Sequence, residues 1–451
     1  MPLARRPSPA APPAAAAPHE AWWRDRALLS GAAVAVVLSV VLTLLRGDAL
    51  WGQSDGVYAY TARLLLHGDD LYGRLVAAQP PITLYAGVPA LAVSDTIGAV
   101  HLWMGLLQVA GGVGAAVAAR RLTGSSWCTG LAPVLAVGLP WAVNQHGVFL
   151  PELVGLPLLL GGAAAAARRG SAPVAGVLLA LAVFVKLPFA LPALAVALVA
   201  ADRRRTLGWL VGVVVLQVVA YTLLFGTDLW EQTLLAQGQS GLHAWGALPG
   251  TVIQSVWTLL GVLVAAGLLL VHRDAWPADR AQLRTTVALA AGAGATWVTS
   301  LKVGTSLYVL VPFEVAMVPL ALAGAAAAWH RRGEARPLAR VGRLTLVVVV
   351  VLTVAQSAAV LVPPHDAFPW TRPGTARSYG PIAREDAVER TVRAIRASCP
   401  PDARYGGLAY YAFLADRPMP DAQPDTFLTA KSARLRDVLA RMRADGPVCG
   451  G

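Results

Sequence analysis

Residues 54–72 read SDGVYAYTARLLLHGDDLY, a polar stretch in a chain that is otherwise strongly apolar. Shortly before it, residues 27–45 read ALLSGAAVAVVLSVVLTLL, with no charge and enough length to cross a bilayer as a helix. A chain that leaves the membrane here must fold its next polar residues at the membrane surface. The two stretches together predict a spanning helix followed by an outer loop with structure of its own.

The polar stretch carries the signals of a short helix. Ser54 is a suitable N-cap, Asp55 falls in the first turn, and His67-Gly68 is a suitable stop. Val57 and Leu64 belong to an apolar stripe at helical spacing. We therefore expect a helix of about 13 residues that lies on the outer membrane surface with its apolar face down.

The composition of the whole chain is that of a membrane protein. Of its 451 residues, 56% are hydrophobic and 14% are charged, whereas soluble domains have about 25% charged residues. The mean hydropathy is +0.57. The net charge of +12 comes from arginines that cluster between apolar segments, as the positive-inside rule expects of cytoplasmic loops. The basic charge therefore indicates topology, and it predicts no nucleic-acid partner.

The hydropathy pattern predicts an all-α polytopic protein with about eleven spans. The candidate spans are 27–45, 95–119, 127–143, 152–167, 173–188, 189–201, 206–225, 251–271, 284–300, 307–329 and 342–361. Residues 173–201 read as a hairpin of two half-length helices, with Pro188 and Pro192 breaking the helix at its tip.

With the arginine clusters inside, the N-terminus is cytoplasmic, and residues 46–94 form the first outer loop. Three regions result: a disordered tail (1–20), a transmembrane domain (21–362) and a small extracytoplasmic C-terminal segment (363–451). Cys399 and Cys449 can pair if that segment lies outside the cytoplasm, and the sequence leaves this open.

Residues 54–85 resemble the first extracytoplasmic loop of GT-C glycosyltransferases, in the branch of protein O-mannosyltransferases and polyprenyl-phosphate aminoarabinose transferases. The elements that carry the resemblance are Asp55, Gly56, Tyr58, Ala62, Gly68, Tyr72, Pro80, Pro81 and Tyr85. The likeness covers most of the chain and is strongest over 51–92. Ser54-Asp55 stands where the family often has an Asp-Glu pair, and Gln79 stands where it often has a lysine that contacts a lipid phosphate.

The resemblance implies a GT-C-like bundle in the inner (plasma) membrane with juxtamembrane helices in its first outer loop. It implies a hexosyl- or pentosyltransferase that moves a sugar from a polyprenyl-phosphate donor to a lipid, glycan or protein acceptor of the cell envelope, on the outer face. The acceptor hydroxyl needs a base, and Asp55 is the candidate. Its other possible role is to assist a divalent cation, Mg or Mn, which the resemblance leaves open.

Lysine is rare in this chain, and two lysines stand at the outer ends of apolar segments: Lys186 in VFVKLPF and Lys302 in SLKVGTSLY. Either can hold the donor phosphate, or can simply extend its ammonium group to the headgroups. Together with the first loop, they complete the predicted substrate-binding set. That set is Tyr58, Arg63, Asp70, Tyr72, Gln79, Glu152, Lys186, Lys302 and Tyr308.

Two other sites are not indicated by the sequence. It shows neither a His/Cys metal-ligand cluster nor a glycine-rich phosphate loop, which disfavours a soluble nucleotide-sugar donor.

Two alternative functions stay open. A transporter or lipid flippase is the first alternative, and it needs ionisable residues near the midplane of the membrane. Glu314 is the candidate inside an apolar span. The second alternative is an inactive GT-C homologue, because the first loop has one acid where the family often has two.

Overall fold

The computed structural model describes residues 25–239, 241–242, 248–272, 277, 279–302, 305, 307–330, 337–361, 382–425, 428, 435–444 and 448–449. The predicted tail, residues 1–20, lies outside these ranges, as does the beginning of the C-terminal segment.

Helices dominate the described residues, and six are long and apolar enough to cross a membrane. The helices that contain these six spans are α1 (Arg26–Arg46), α5 (Ile97–Thr123), α11 (Arg203–Phe225), α13 (Leu248–Val271), α15 (Val311–His330) and α16 (Pro337–Leu361). The span that includes α15 is 94% buried, whereas that of α11 is 11% buried and presents Leu and Val side chains outward. The chain is therefore a multi-pass membrane protein with α15 at its centre and α11 at its periphery.

Shorter helices fill the space between the long ones. They are α2 (Gln53–Leu66), α3 (Pro81–Tyr85), α4 (Val88–Val93), α6 (Ser126–Gly138), α7 (Pro140–Asn144), α8 (Pro151–Ala166), α9 (Ala172–Val185), α10 (Ala190–Val199), α12 (Asp228–Trp230) and α14 (Arg280–Ala295). A π-helical turn, Glu231–Ala236, continues α12. Each of the eleven predicted spans thus has a helical counterpart, while the number of crossings stays a prediction.

The half-length hairpin is confirmed, with one correction at its tip. The helix breaks over Lys186 and a 3-10 turn, Leu187–Phe189, that contains Pro188. Pro192 was predicted to break the helix as well, but it lies in the first turn of α10. A proline is tolerated there because the amide it lacks would have no intrahelical partner.

Small residues let the membrane helices approach closely. A Cβ on Gly31 of α1 would lie 2.0 Å from the carbonyl oxygen of Gly130 in α6, and one on Gly324 of α15 would lie 2.0 Å from that of Ala265 in α13. Helices in lipid gain stability from this kind of packing, since lipid tails are as apolar as leucine.

The five-residue helix α7 is capped at both ends by buried charges from other helices. At its N-terminus, Glu314 accepts hydrogen bonds from the amides of Trp141 (3.1 Å) and Ala142 (2.8 Å). At its C-terminal end, Arg46 donates to the carbonyl of the last helical residue, Asn144 (2.5 Å), and to that of His146 just beyond it. A broken helix in lipid needs such partners for its exposed backbone groups. Glu314, the ionisable residue inside an apolar span, faces the protein interior, and its carboxylate caps a helix there.

The first-loop helix α2 differs from its prediction in two respects. Its N-cap is Gly52 and not Ser54, while the stop at His67 and Gly68 is confirmed. The apolar side of α2 was expected to lie on lipid, yet most of the helix is buried against protein. It packs on α3, α4 and the C-terminal helix α18 (Ala409–Ala415).

The C-terminal segment contains α17 (Glu385–Ser398), α18 and α19 (Arg436–Ala444), with a two-stranded parallel pairing of β1 (Arg404–Tyr405) and β2 (Val448–Cys449). Helix α17 buries Val388, Val392 and Ile395. A disulfide joins Cys399 to Cys449 and closes the segment.

Candidate functional site

A cavity of about 650 Å³ opens where five parts of the chain meet. These parts are the first loop, the tip of the α9–α10 hairpin, the turn after α12, the connection before α15, and the C-terminal segment. The polar residues that line the cavity are Gln53, Ser54, Tyr58, Gln79, Lys186, Thr233, Gln237, Thr299, Lys302, Thr305, Tyr308 and Asp425. Five of the predicted site residues are in this set: Tyr58, Gln79, Lys186, Lys302 and Tyr308.

Lys186 lies on extended backbone where α9 ends, and this break in the helix lets its side chain reach the cavity. It forms a buried ion pair with Glu152, which occupies the first turn of α8. Its ammonium group lies 5.1 Å from the ring centroid of Tyr308. The second oxygen of Glu152 is buried and has no hydrogen-bond partner among the described residues. Glu152 therefore compensates the charge of Lys186, which would be costly to bury alone.

Lys302 differs from Lys186 because its hydrogen-bond partner is neutral. It donates a hydrogen bond to the side-chain oxygen of Gln237 and pairs through its backbone with Leu242. Burial, and to a smaller extent the positive charge of Lys186, lowers the pKa of Lys302 to about 8. Among the described residues no carboxylate pairs with Lys302, and a positive group near another one is a suitable place for an anion.

Tyr58 and Gln79 bring the first loop to the cavity. Tyr58 packs edge-on against Phe149, with ring centroids 5.7 Å apart, and its hydroxyl contacts the side chain of Gln79. Burial raises the pKa of Tyr58 well above its ordinary value, and the nearby Tyr308 and Asp425 act in the same direction. The Tyr58 hydroxyl is therefore neutral and can both donate and accept a hydrogen bond.

Asp55, the predicted catalytic residue, lies outside the cavity lining. Its side chain is fully buried; one carboxylate oxygen accepts from His101 Nε2 (2.7 Å) and the other from the backbone amide of Phe149 (2.7 Å). The carboxylate thus ties α2 to α5 and to the strand-like entry into α8. The role of Asp55 as the base stays a prediction.

Three further predicted binding residues lie outside the lining and shape the first loop. Arg63 stacks on Phe413, 3.5 Å from the ring centroid, and pairs with Asp95 (2.7 Å). Tyr72 donates from its hydroxyl to the carbonyl of Gln79 (2.5 Å) and so fixes the residue that reaches the cavity. Asp70 is exposed, and its backbone carbonyl accepts in the turn that follows.

Asp425 is a lining residue outside the predicted set, as are Thr233, Gln237, Thr299 and Thr305. It lies in the C-terminal segment, is 6% exposed, and accepts a hydrogen bond from the amide of Leu428 (2.8 Å). Burial raises its pKa to about 6. Its sequence context, Pro424-Asp425 after a turn, is an ordinary loop signal. Only the docking of this segment on the first loop shows that the acid reaches the cavity.

The described residues contain no group of three or more His, Cys, Asp or Glu side chains placed to hold a metal ion. A hard divalent cation prefers several oxygen ligands, and the described part of the cavity lining supplies the one carboxylate of Asp425. The described lining residues therefore do not fit the divalent site that the resemblance left open.

No protein-family model matches the chain, and neither does any curated protein. Among solved structures, the chain is similar to the crystal structure of ArnT from Cupriavidus metallidurans bound to undecaprenyl phosphate. The TM-score is 0.55, the sequence identity is 17%, and the match covers 92% of this chain and 90% of ArnT. The likeness extends over nearly the whole length of both chains. It shows that this chain has a GT-C-like fold.

Proposed function

We propose that this protein is a membrane glycosyltransferase that moves a sugar from a polyprenyl-phosphate donor to an acceptor on the extracytoplasmic face. The observation that carries the proposal is the pair of lysines, Lys186 and Lys302, in one cavity of a GT-C-like fold. The similar structure, ArnT, is bound to undecaprenyl phosphate. The donor class proposed here is the same polyprenyl phosphate, carrying a sugar.

The two lysines suit a reaction in which a phosphate departs. When the sugar leaves its lipid carrier, negative charge develops on the phosphate oxygen, and a nearby ammonium group stabilises that charge. Lys302 is the principal candidate because the partner it must give up, Gln237, is neutral. Lys186 forms an ion pair with Glu152, and its ammonium group is the second positive group of the same cavity.

The neutral lining suits a sugar. Tyr58, Gln79, Thr233 and Thr299 offer hydroxyl and amide groups, which pair well with the hydroxyl groups of a pyranose or furanose. The acceptor, whether lipid, glycan or protein of the cell envelope, would enter the same cavity from the outer side. An inner-membrane location, with the N-terminus cytoplasmic and the C-terminus outside, belongs to this proposal.

The test follows a labelled donor. Membranes from bacteria that express the chain would receive a polyprenyl-phosphate sugar with a tritiated sugar, and label leaving the lipid would be measured. We expect consumption by the wild type and a loss of at least about tenfold in Lys302→Met, because a charge-assisted hydrogen bond contributes about 1.5–3 kcal/mol. The matched control is Arg205→Met, which removes an exposed cation from the first turn of α11, outside the cavity lining.

Two outcomes would contradict the proposal. If the labelled lipid crosses the bilayer with its sugar still attached, the protein is a transporter or flippase. If the wild type neither moves nor cleaves the donor although it binds undecaprenyl phosphate, it is an inactive homologue.

A further inference from the structure

Gln237 connects the first outer loop to one of the two cavity lysines. Its side-chain oxygen accepts from the ammonium group of Lys302, and its side-chain nitrogen donates to the backbone carbonyl of Ala78 (3.4 Å). We propose that Gln237 is a positioning residue for the donor phosphate: it holds the ammonium group of Lys302 in the cavity and, being neutral, leaves that charge available to an anion. This inference rests on the proposed function, since it takes the donor phosphate to bind at Lys302.

The two partners of Gln237 fix the orientation of its amide group. An ammonium group can only donate hydrogen bonds, and a backbone carbonyl can only accept them. The amide oxygen must therefore point to Lys302 and the amide nitrogen to Ala78. A glutamine satisfies both partners at once, whereas a carboxylate only accepts and would leave its second oxygen beside the carbonyl.

The segment that carries Gln237 is anchored to the same loop by a second glutamine. Gln232, which is 4% exposed, donates to the carbonyl of Tyr72 (2.8 Å) and accepts from the amide of Ala77 (2.9 Å). Both ends of its amide group thus have a backbone partner in the first loop. Gln232 fixes the beginning of this segment, and Gln237 fixes its end.

The π-helical turn Glu231–Ala236 gives the two glutamines different tasks. Thr233, Leu234 and Gln237 line the cavity, whereas Gln232 contacts the first loop. Turns of this width are rare in proteins, and they are found mostly at functional sites. The turn therefore docks on the loop and presents Gln237 to Lys302 at the same time.

The loop that receives these contacts has an uncommon backbone. Tyr72 has a φ of 68°, in the left-handed region that a tyrosine rarely adopts. Its hydroxyl donates to the carbonyl of Gln79 (2.5 Å), and its ring packs on that of Phe225, with centroids 5.4 Å apart. Such a conformation persists where its surroundings determine it, and it is frequent at ligand sites. The backbone from Tyr72 to Gln79 is therefore a fixed support for Gln237.

Lys302 is held through its backbone as well as through its ammonium group. It lies on extended backbone after the 3-10 turn Thr296–Leu301, and it pairs with Leu242 in an antiparallel bridge. Both contacts are therefore made with the part of the chain that follows α12. An ammonium group fixed in this way needs little rearrangement to meet the departing phosphate.

The neutrality of Gln237 distinguishes Lys302 from the other cavity lysine. Lys186 forms its ion pair with Glu152, so a phosphate at Lys186 competes with a carboxylate. At Lys302 the phosphate competes with an amide oxygen, which carries no net charge and attracts an ammonium group less strongly than an anion does. Lys302 can therefore exchange Gln237 for a phosphate oxygen.

The charge at position 237 also sets the pH dependence of this binding. Burial, and to a smaller extent Lys186, lowers the pKa of Lys302 to about 8. A carboxylate in place of the Gln237 amide would raise that pKa, because an opposite charge favours the protonated lysine. The titratable and charged groups that share the cavity with Lys302 are Lys186, Tyr58, Tyr308 and Asp425.

The experiment compares Gln237→Glu, Gln237→Met and Gln239→Glu. Both substitutions of Gln237 remove the hydrogen bond to Ala78, but only Gln237→Glu adds a charge. Gln239→Glu adds the same charge at an exposed position of the same segment, outside the cavity lining. Affinity for undecaprenyl phosphate is measured in nanodiscs on both sides of the Lys302 pKa, transfer from the tritiated donor in membranes, and thermal unfolding in detergent.

We expect Gln237→Glu to bind undecaprenyl phosphate at least about tenfold more weakly near pH 7.5, because the phosphate must displace a carboxylate from Lys302. Its affinity should then change little up to about pH 9.5, because the paired lysine stays protonated, whereas the wild type should lose affinity there. Gln237→Met should keep that decline and an affinity within about threefold of the wild type, while its transfer rate falls about tenfold because the ammonium group is no longer held. Gln239→Glu should match the wild type.

The outcomes separate this inference from the proposed function. Wild-type affinity and pH dependence in Gln237→Glu would overturn the role of Gln237 and leave the glycosyltransferase intact. Equal losses of affinity, transfer and thermal stability in both Gln237 variants would overturn it too, because they indicate a structural residue, as would an equal loss of affinity in Gln239→Glu. A wild type that binds undecaprenyl phosphate but consumes no donor would overturn the proposed function itself. Weak, pH-independent binding in Gln237→Glu, with the decline kept in Gln237→Met, would support the positioning role directly.

Discussion

Two regions meet at the cavity, and they use their acids differently. In the first loop, Asp55 is fully buried and accepts a hydrogen bond with each oxygen. In the C-terminal segment, Asp425 lines the cavity and is oriented by Leu428. Asp55 therefore stabilises the packing of the first loop, whereas Asp425 lies on a cavity wall, where ligands bind. The difference lies in what surrounds each acid and not in its residue type.

This comparison bears on how a family resemblance is applied. The resemblance points to Asp55 because of its position in a motif, and motif position says little about where an oxygen points. The structure places that motif around a helix, α2, whose polar and apolar residues are both buried. The roles of the two acids can be separated by experiment.

The largest effect is expected for Asp55→Ala. It leaves the Phe149 amide and His101 Nε2 without their partner, and two buried donors at about 1–3 kcal/mol each amount to about 2–6 kcal/mol of lost stability. Thermal unfolding of the protein in detergent measures the loss. Asp55→Asn keeps an acceptor for Phe149 and should lose less.

Asp55→Asn also decides the comparison. We expect its transfer rate per folded molecule to stay near that of the wild type. If the variant melts like the wild type yet transfers about 10²-fold more slowly, Asp55 is the base that the sequence predicts.

The next largest effect concerns the disulfide that closes the C-terminal segment over 50 residues. Cys399→Ser should destabilise the segment by about 2–4 kcal/mol, because the unfolded segment regains freedom that the cross-link removes. Limited proteolysis should then cleave the segment before the membrane helices, and transfer should fall with it. Cys128→Ser, which alters a buried free cysteine of the bundle, is the control. Full activity after loss of the disulfide would show that the segment is dispensable.

Much of the architecture could be predicted because hydropathy is a local property. Each predicted span has a helix, and the half-length hairpin breaks at Lys186 and Pro188 as the sequence indicates. Both lysines were selected because they are ionisable residues at the ends of apolar segments, and both line the cavity.

The remainder depends on contacts between distant parts of the chain. Nothing local to Asp55 indicates that the Phe149 amide would occupy one of its oxygens, and nothing local to Asp425 indicates that Gln423 would dock its segment beside Val76. Likewise, α2 looks amphipathic in sequence, but it is largely buried because it packs against α18, α4 and α3. Contacts between residues that are distant in sequence determine these points, and local sequence patterns do not reveal such contacts.

Gly56→Ala would push the two regions apart. A Cβ at Gly56 would lie 2.2 Å from the backbone nitrogen of Tyr410 in α18, so α2 or α18 must shift. We expect a loss of about 1–3 kcal/mol, the usual effect of overpacking, together with reduced transfer. Gly98→Ala, where an added Cβ meets nothing within 4 Å, is the matched control and should be neutral or slightly stabilising. A neutral Gly56→Ala would contradict the close packing of α2 on α18.

The smallest effect is a pH dependence of donor binding. The pKa of Lys302 is lowered to about 8 by burial and by Lys186, so its ammonium group loses its proton as the pH rises through about 8. Above that pH the phosphate keeps its charge but loses one cationic partner, since its own second ionisation is complete near pH 7. Affinity for undecaprenyl phosphate, measured with purified protein in nanodiscs, should fall by up to about tenfold between pH 7.5 and 9.5, which corresponds to about 1.4 kcal/mol.

Lys302→Arg should remove that decline, because a guanidinium group stays protonated throughout this range. A decline that persists in Lys302→Arg would show that another group titrates in this range, and that the ammonium group of Lys302 does not bind the phosphate.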